Sequence, residues 1–332
     1  MTQPGRQPDV VVLGSFMMDL VVRAPRRPGP GETVIGTAFD MFLGGKGFNQ
    51  AIAAARAGAA TAMIGHLGND DFADRFGAQL AADGIDTTHV HRHAEVGTGI
   101  GLPLVEDSGE NSIVVIPRAN HCLRPEHVEA AGEIISAASV LLLQFELPFD
   151  TVCAAAQLAH DAGLTVICNP APARDDISEL DGLIDVIVPN ENEAALLIGE
   201  SDGSRPPEQV ALDLRDRTGA VSLLTLGAAG ALLVDGRGPL LLPAHEVTVV
   251  DTVGAGDAFC GALAAHLAAG GTLAEAARRA NAAGGLAVTL PGAEPSMPTR
   301  EQVDQLLVDG SSDADSTSSD PTRRPVSEEV RP

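Results

Sequence analysis

The chain has 332 residues, of which 45 are acidic and 21 basic, leaving a formal charge of −24, and its only aromatic residues are nine Phe. This charge and the scarcity of aromatic stacking platforms exclude nucleic acid as a partner. The chain has no apolar run of ~20 residues, no secretory signal in residues 1–9 and no CxxC pair, so a reduced, cytosolic protein that avoids membranes is expected.

Short apolar runs alternate with helical segments along the chain. The first strand is predicted at 10–13, followed by a helix at 47–58 that stops at Gly58. Further strands are predicted at 62–64, 140–143, 165–168, 186–188 and 222–226, and further helices at 70–82, 255–269 and 272–287. This order predicts an α/β fold, with a doubly wound, mainly parallel sheet covered by helices on both faces.

Two segments, 19–43 and 96–117, interrupt this order with alternating, β-branched stretches. They predict extra strands outside the main sheet that form a small lid. The alternative is an antiparallel edge of the main sheet. Residues 309–332 are rich in Ser, Asp and Pro and are predicted to be disordered, since they have little apolar surface to bury. A single folded domain is therefore expected over 10–308.

The octet TVGAGDAF at 252–259 opens an Ala-rich helix. Its glycines leave backbone N–H groups accessible, and a helix N-terminus attracts anions, so a phosphate or a developing phosphoryl charge fits there. Asp257 would repel such an anion, but it makes sense as a base that takes a proton from an attacking hydroxyl. The alternative is that Asp257 is an ordinary helix N-cap.

The segment GGKGFNQ at 44–50 contains Lys46, the only Lys among 21 basic residues. A Gly-rich turn with a cation and the amide of Asn49 suits a polyhydroxylated ligand, whereas a solvated loop is the alternative. The segment lacks the GxxxxGK[ST] pattern of nucleotide-binding P-loops. The GxGxxG pattern of dinucleotide-binding folds is also absent, because position 259 is Phe.

Other polar residues follow predicted strands, where the ligands of parallel sheets bind. Asp19 lies past the first strand, and PNENE at 189–193 suits either Mg²⁺–phosphate contacts or helix capping. Asp251 is a cation ligand or a turn residue. The alternating His89, His91 and His93 form an exposed strand face or, alternatively, a metal site.

These motifs resemble the ribokinase (PfkB) family of sugar kinases, and within it the pentose kinases. The resemblance extends from about residue 10 to about residue 307. It rests on seven motifs in the family's order: GGKGFNQA at 44–51, GENS at 109–112, LQFELP at 143–148, NPAPAR at 169–174, PNENEA at 189–194, TLGAAG at 225–230 and DTVGAGDAF at 251–259. It implies a doubly wound α/β domain with a β-sheet lid, through which many members dimerise.

The resemblance also implies roles for the matching residues. Asp257 is implied as the catalytic base, with an anion hole at the amides of Gly254, Ala255 and Gly256. The implied sugar contacts are Asp19, Gly45, Lys46, Asn49, Glu146 and Asp257. The implied ATP contacts are Asn190, Glu193, Thr225, Gly227 and Asn281, with Mg²⁺ near the first two. The implied site for a monovalent cation such as K⁺ consists of Asp251, Val253, Gly292 and Ser296.

One residue departs from the ribokinase pattern. Ribokinases have Asn two residues before the sugar-binding Asp, and here that residue is Met17. An Asn can hydrogen-bond a sugar hydroxyl and a Met cannot, so an apolar replacement relaxes the selection for that hydroxyl. Relatives similar to 2-deoxyribose kinases have Met at this position. The resemblance therefore implies a kinase of the 5-hydroxyl of 2-deoxyribose, unless Met17 only repacks the pocket and ribose remains the substrate.

Two other functions stay open. A kinase of a nucleoside or a hexose is one alternative, although base rings usually stack on aromatic side chains and few lie near the expected site. The other is a non-catalytic sugar-binding regulator. Such a protein would be expected to lose the base or the glycines of the anion hole, which are all present.

Overall fold

The computed structural model describes residues 7–200 and 204–316, with side chains through residue 309. Its strands are β1 (Val10–Leu13), β2 (Met17–Ala24), β3 (Ala38–Gly44), β4 (Thr61–Gly68), β5 (Asp86–His93), β6 (Gly99–Glu106), β7 (Asn111–Ile116), β8 (Val140–Leu143), β9 (Thr165–Cys168), β10 (Val186–Ile187), β11 (Val221–Thr225), β12 (Ala231–Asp235) and β13 (Gly238–Leu242). Its helices are α1 (Lys46–Arg56), α2 (Asp71–Ala82), α3 (Pro125–Ala130), α4 (Gly132–Ser136), α5 (Phe149–Asp161), α6 (Glu191–Leu197), α7 (Pro207–Thr218), α8 (Ala255–Ala268), α9 (Leu273–Ala287) and α10 (Arg300–Ser316). Over this part of the chain, none of the helices combines the length and the apolar character of a membrane span.

The large sheet has the strand order β13-β12-β11-β10-β9-β8-β1-β4-β5. The strands from β11 to β5 in this order run parallel to their neighbours, and only β12 and β13 are antiparallel. The chain first adds strands on one side of β1 and later returns to place β8 on the other side. The strand order therefore reverses between β1 and β8, which is the point where ligands bind in open α/β sheets.

Strand β1 shows why the short apolar runs form a sheet that is covered on both sides. Val10 and Val12 face one core, which is closed by α1, α2, α8, α9 and α10. Val11 and Leu13 face a second core, which is closed by α3 to α7. All four side chains are fully buried, and each contributes roughly 1.5–3 kcal/mol by leaving water. The predicted doubly wound α/β fold is confirmed.

The segments that interrupt the alternation form a separate sheet in the order β3-β2-β6-β7. Strand β2 is antiparallel to β3 and parallel to β6, and β7 is antiparallel to β6. The prediction of strands outside the main sheet is confirmed, and the alternative of an antiparallel edge of the large sheet is wrong. We call this four-stranded sheet the lid sheet.

Two regions differ from the predicted elements. The antiparallel hairpin of β12 and β13 extends one edge of the large sheet and has no counterpart among the predicted strands. Helix α10 reaches Ser316 and so enters the segment 309–332 that is predicted to be disordered. Val303, Leu306 and Leu307 pack the first turns of this helix on the core. Adding residues to a helix that has already formed costs much less than starting a new one, so the helix continues past residue 308. The rest of that segment, 317–332, lies outside the described residues.

Candidate active site

Helix α1 begins at the point where the strand order reverses. Gly14, directly after β1, lies against Gly47, and a Cβ on either residue would come within 2.3 Å of the other's Cα. Gly45, before the helix, has φ of +95°, a conformation that favours glycine. The GGKG segment thus presses the start of α1 onto the end of β1. This contact places the side chains of the first turns of α1 above the carboxyl ends of the strands.

Glu146, the fourth residue of the LQFELP motif, meets the same helix end. Its Oε2 accepts a hydrogen bond from the backbone N–H of Lys46 at 2.9 Å and another from the Ser15 hydroxyl. A carboxylate at a helix N-terminus is stabilised by the helix dipole and the unpaired N–H groups. Glu146, a predicted sugar contact, is therefore held in place by the protein before any ligand binds.

Asp257 is the third residue of α8, whose N-cap is Gly254 at φ +81°. The N-cap interpretation of Asp257 is therefore wrong. Its side chain is buried, and it accepts hydrogen bonds from Asn49 Nδ2 at 2.9 Å and from Gln50 Nε2 at 3.0 Å. Both carboxylate oxygens thus face α1 across the reversal point, beside the N-terminus of α8.

A buried carboxylate, Asp257, and a half-buried ammonium, Lys46, influence each other at this place. Burial raises the pKa of Asp257, although Lys46 and the hydrogen bonds from Asn49 and Gln50 act in the lowering direction. Burial alone would lower the pKa of Lys46, but the pKa is raised because Asp257, Glu146 and Glu193 attract the ammonium. Lys46 therefore carries its charge near three carboxylates at the start of α1, which argues against the interpretation as a solvated loop residue.

Lys46 and Asp257 form one end of a cleft with a volume of about 240 Å³. The predicted anion-hole glycines Gly254 and Gly256 also line it. The N–H of Ala255 points back to the carbonyl of Thr252 at 3.4 Å, a long contact for a hydrogen bond. The remaining lining residues are Asn169, Ala171, Val188, Asn190, Glu193, Thr225 and Thr252. The cleft joins the predicted base and anion hole to part of the predicted nucleotide contacts.

Asn190 and Glu193 cap α6 as well as line the cleft. Asn190 Oδ1 accepts from the N–H of Glu193, and Glu193 Oε2 accepts from the N–H of Asn190, both at 2.9 Å. The capping interpretation is confirmed, and it holds both side chains at the cleft wall. Thr225 also lines the cleft, but Gly227 and Asn281 are not among the lining residues, and Asn281 Nδ2 donates to the Pro243 carbonyl at 2.7 Å.

On the lid side of the site, Asp19 lies on β2 between two glycines. A Cβ on Gly44 or Gly101 would come within 2.4 or 2.1 Å of an Asp19 carboxylate oxygen, so only glycine leaves room for this carboxylate. Burial, and second the nearby charge of Glu146, raise the pKa of Asp19 to about 7. Two carboxylates that face one space in this way are suited to accepting hydrogen bonds from several hydroxyls of one ligand.

Met17 and Asp19 lie on the same face of β2 because strand side chains alternate. Met17 is 4% exposed, and its Sδ lies 3.6 Å from Asn120 Nδ2. Asn49 Oδ1, opposite the lid sheet, is buried and has no hydrogen-bond partner. Buried acceptors are almost always paired, so this oxygen is suited to receive a hydroxyl from a ligand. The site therefore has an apolar and a polar side for a small ligand.

The predicted cation-site residues come together at two adjacent loops. The Asp251 carboxylate accepts from the N–H of Val253 at 3.0 Å and from the N–H of Gly292 at 2.9 Å. Ser296 is buried and donates to the Ala293 carbonyl. Among the described residues, no cluster of three or more His, Cys, Asp or Glu could hold a metal ion. The loops supply backbone and single carboxylate oxygens, a donor set that suits a weakly bound monovalent cation better than a transition metal.

The histidines of β5 belong to an edge strand of the large sheet. The rings of His91 and His127 pack edge-on or tilted around His66, whose own ring lies 4.5 Å from that of His127. His66 is buried and neither ring nitrogen has a partner, and burial lowers its pKa to about 4. On β5 itself His91 is exposed and His89 and His93 are half-buried, which favours the strand-face interpretation; the buried His66 beside them is not revealed by the sequence pattern.

Three polar residues without a predicted role join the site, namely Gln50, Gln144 and Asn169, all buried. All three lie inside motifs that support the resemblance. Gln144 and Asn169 come directly after β8 and β9, so their position at the carboxyl ends of parallel strands was a usable signal. Their contacts are described below.

Comparison with known proteins agrees with this geometry. A family model described as pfkB family carbohydrate kinase matches residues 7–300. The ribokinase of Bacillus subtilis (strain 168) is 39% identical over 301 residues, which cover 90% of this chain and 99% of the relative. The deoxyribokinase of Salmonella typhi is 35% identical over 304 residues, which cover 90% of this chain and 98% of the relative.

Solved structures are similar over the same range. The Arabidopsis thaliana ribokinase complexed with ribose and ATP matches with a TM-score of 0.84 and 32% identity, covering 91% of this chain and 99% of the other. The ribokinase of Thermotoga maritima matches with a TM-score of 0.83 and 32% identity, again covering 91% and 99%. Both solved structures share the fold over about nine-tenths of this chain.

Proposed function

Since this chain belongs to the pfkB family of carbohydrate kinases, we propose that this ATP-dependent kinase phosphorylates the 5-hydroxyl of a pentose, either 2-deoxyribose or ribose, to give the sugar 5-phosphate and ADP. The observation that carries the proposal is the position of Asp257. It is buried at a junction: its carboxylate lines the cleft beside Gly254 and Gly256, and it is hydrogen-bonded by Asn49, whose unpaired oxygen is suited to a ligand hydroxyl. A proton acceptor is needed at such a junction when a hydroxyl attacks a phosphoryl group.

Each side of Asp257 has a distinct role in this proposal. Asp257 takes the proton of the 5-hydroxyl, while the N–H groups of Gly254, Ala255 and Gly256 stabilise the charge that spreads over the transferred group. Asp19, Gly45, Asn49 and Glu146 bind the sugar hydroxyls. Lys46, which lines the cleft beside Asn190 and Glu193, contacts the sugar side and neutralises the incoming phosphoryl charge.

ATP is proposed to bind along the cleft and the adjoining surface through Asn190, Glu193, Thr225, Gly227 and Asn281. Mg²⁺ usually binds one or two carboxylates together with substrate phosphates, and Glu193 at the cleft wall fits that pattern. A monovalent cation such as K⁺ fits the loops of Asp251, Val253, Gly292 and Ser296. When bound, these ions supply electrostatic stabilisation, while the protein groups position the hydroxyl and remove its proton.

The lid sheet is proposed to close over the sugar and to form the contact of a homodimer. Its face opposite Asp19 exposes five large apolar side chains, Phe39, Met41, Leu102, Val114 and Ile116. An apolar surface of this kind marks an interaction site, and a second copy of the chain presents a matching face. Sedimentation of the purified protein should show a dimer, and Val114→Asp should shift it toward the monomer. The cytosolic location expected from the sequence stays a prediction.

The test of the function is release of ADP from MgATP with a panel of acceptors, each with and without K⁺. Ribose and 2-deoxyribose should be phosphorylated, and the product should be the 5-phosphate. If only a hexose or a nucleoside is phosphorylated, the proposed pentose substrate is wrong and that acceptor takes its place. Sugar binding in calorimetry without any release of ADP would favour a non-catalytic regulator instead.

A further inference from the structure

Gln50 contacts the carboxylate of Asp257 and is not itself among the residues that line the cleft. It follows Asn49 in α1 and is completely buried. Gln50 Nε2 donates to Asp257 Oδ1 at 3.0 Å, while Asn49 Nδ2 donates to Oδ2 at 2.9 Å. Consecutive residues of one helix therefore hold both oxygens of the carboxylate. Of the two, Asn49 also has an unpaired oxygen suited to the ligand, whereas Gln50 makes all its hydrogen bonds to protein.

The amide of Gln50 is itself fixed by two further side chains. Gln144 Nε2 donates to Gln50 Oε1 at 2.6 Å, and Gln50 Nε2 donates to Asn169 Oδ1 at 3.2 Å. Because a donor occupies Oε1, the amide cannot rotate its oxygen toward Asp257, where it would repel the carboxylate. The N–H groups of Gln50 are thereby directed at two acceptors, one of which is the carboxylate.

Asn169 is oriented in the same way. Its Nδ2 donates to the carbonyl of Val188 at 2.8 Å, which directs its Oδ1 at Gln50. Gln144, Asn169 and Val188 directly follow β8, β9 and β10, which are neighbours in the large sheet. Three adjacent strands thus contribute one link each at their carboxyl ends. The network starts at buried residues that follow neighbouring strands of the large sheet and ends at Asp257.

We propose that Gln50 is a positioning residue for Asp257: it orients the carboxylate and favours its charged form, and Gln144 and Asn169 fix the direction of its amide. The proposal deepens the function proposed above and rests on Asp257 being the base. Amides suit this task because they donate hydrogen bonds and do not take up the proton that Asp257 must receive. A base that is held before the substrate binds needs no reorganisation during the reaction.

Several other ionisable groups lie near Asp257 and influence its pKa or are influenced by its charge. Burial raises its pKa, Lys46 and the two amides act against that increase, and Glu146 adds to it. Glu193 and the buried thiol of Cys260 lie near the same charges. Lys46 is shared among three carboxylates. The hydrogen bond from the neutral amide of Gln50 therefore stabilises the charged form of Asp257 whether or not a charged ligand is bound.

The test is the pH dependence of kcat for Gln50→Met, which keeps the length of the side chain and removes the donor. At low pH, kcat falls as Asp257 becomes protonated, and we call this part of the pH profile the acid limb. At saturating sugar and MgATP, loss of one hydrogen bond to the charged form of Asp257 should move the acid limb to higher pH by about one unit. On that limb kcat should fall about tenfold, with the sugar KM nearly unchanged. Gln50→Glu, which places a second carboxylate beside Asp257, should move the limb further in the same direction.

Two controls separate this role from a purely structural one. Thr218 in α7 is also buried and donates to the Leu214 carbonyl at 2.9 Å. Thr218→Val should lower the thermal midpoint to a similar extent and leave the acid limb in place. Gln144→Met should shift the limb in the same direction but less, since it only frees the amide of Gln50, and it serves as the test if Gln50→Met does not fold.

The outcomes separate the two proposals. A wild-type protein that phosphorylates a pentose, with Gln50→Met and Gln144→Met leaving the acid limb unchanged, overturns the role of Gln50 and leaves the function intact. An equal shift in Thr218→Val overturns it as well. A wild-type protein without pentose kinase activity overturns the proposed function, and the role of Gln50 fails with it.

Discussion

The two ends of the site surround their carboxylates in opposite ways. Asp257, at the end of the large sheet, has both oxygens hydrogen-bonded by amides and a cation, Lys46, beside it. Asp19, on the lid sheet, lies between two glycines near the like charge of Glu146, and its pKa is raised to about 7. The sheet end is therefore organised before the substrate arrives. At the lid end, the charged form of Asp19 becomes favourable only when ligand hydroxyls donate hydrogen bonds to it.

The variant Asp257→Asn gives the strongest test of this difference between the two ends, because it removes the proposed base and leaves the lid-end contacts in place. Removing a general base costs about 10²–10⁴-fold, so kcat should fall by that amount. Sugar binding should be largely kept because the lid-end contacts remain. Calorimetric sugar binding and steady-state ADP release measure the two effects on one preparation. Turnover near the wild-type rate would contradict the role of Asp257.

Lys46→Arg tests the group that joins the two ends. An ammonium is compact, whereas the wider guanidinium needs room among three carboxylates at the start of α1. We expect kcat/KM for the sugar to fall about 10- to 100-fold, with a thermal midpoint close to the wild-type value. An unchanged kcat/KM would mean that any cation at this position is sufficient.

The same contrast shows what the sequence can predict. Apolar runs buried on both faces identify most strands of the large sheet, since their length and composition are local properties. The role of Asp257 needed the fold, because Gly254 takes the N-cap position and Asn49 reaches the carboxylate from a distant segment. The residues behind it, Gln50 and Gln144, meet across 94 positions of the chain. No local pattern indicates such a contact.

At the lid end, Met17→Asn tests which sugar the site prefers. Met17 shares the face of β2 with Asp19 and is almost fully buried beside Asn120. An Asn there can bond a 2-hydroxyl, so the ratio of kcat/KM for ribose to that for 2-deoxyribose should rise about 10- to 100-fold. The wild-type protein should accept 2-deoxyribose at least as well as ribose. A wild-type kcat/KM that is clearly higher for ribose removes the role of Met17 in selection.

The pH dependence of sugar binding gives the smallest and most specific prediction. The charged form of Asp19 accepts hydrogen bonds from hydroxyls, and its pKa of about 7 means that this form is lost as the pH falls below neutrality. Between pH 8 and pH 6 the sugar KM should therefore rise about tenfold. The free energy of unfolding changes with pH in the opposite direction from sugar binding. Because the pKa of Asp19 is raised in the folded protein, this group contributes stability at low pH, and that contribution is lost as the pH rises through 7. Asp19→Asn should bind sugar weakly at both pH values, with a KM that no longer depends on pH in this range. If the slope persists in Asp19→Asn, another group near the lid sheet titrates, and Asp19 is not the residue that makes the lid end depend on its ligand.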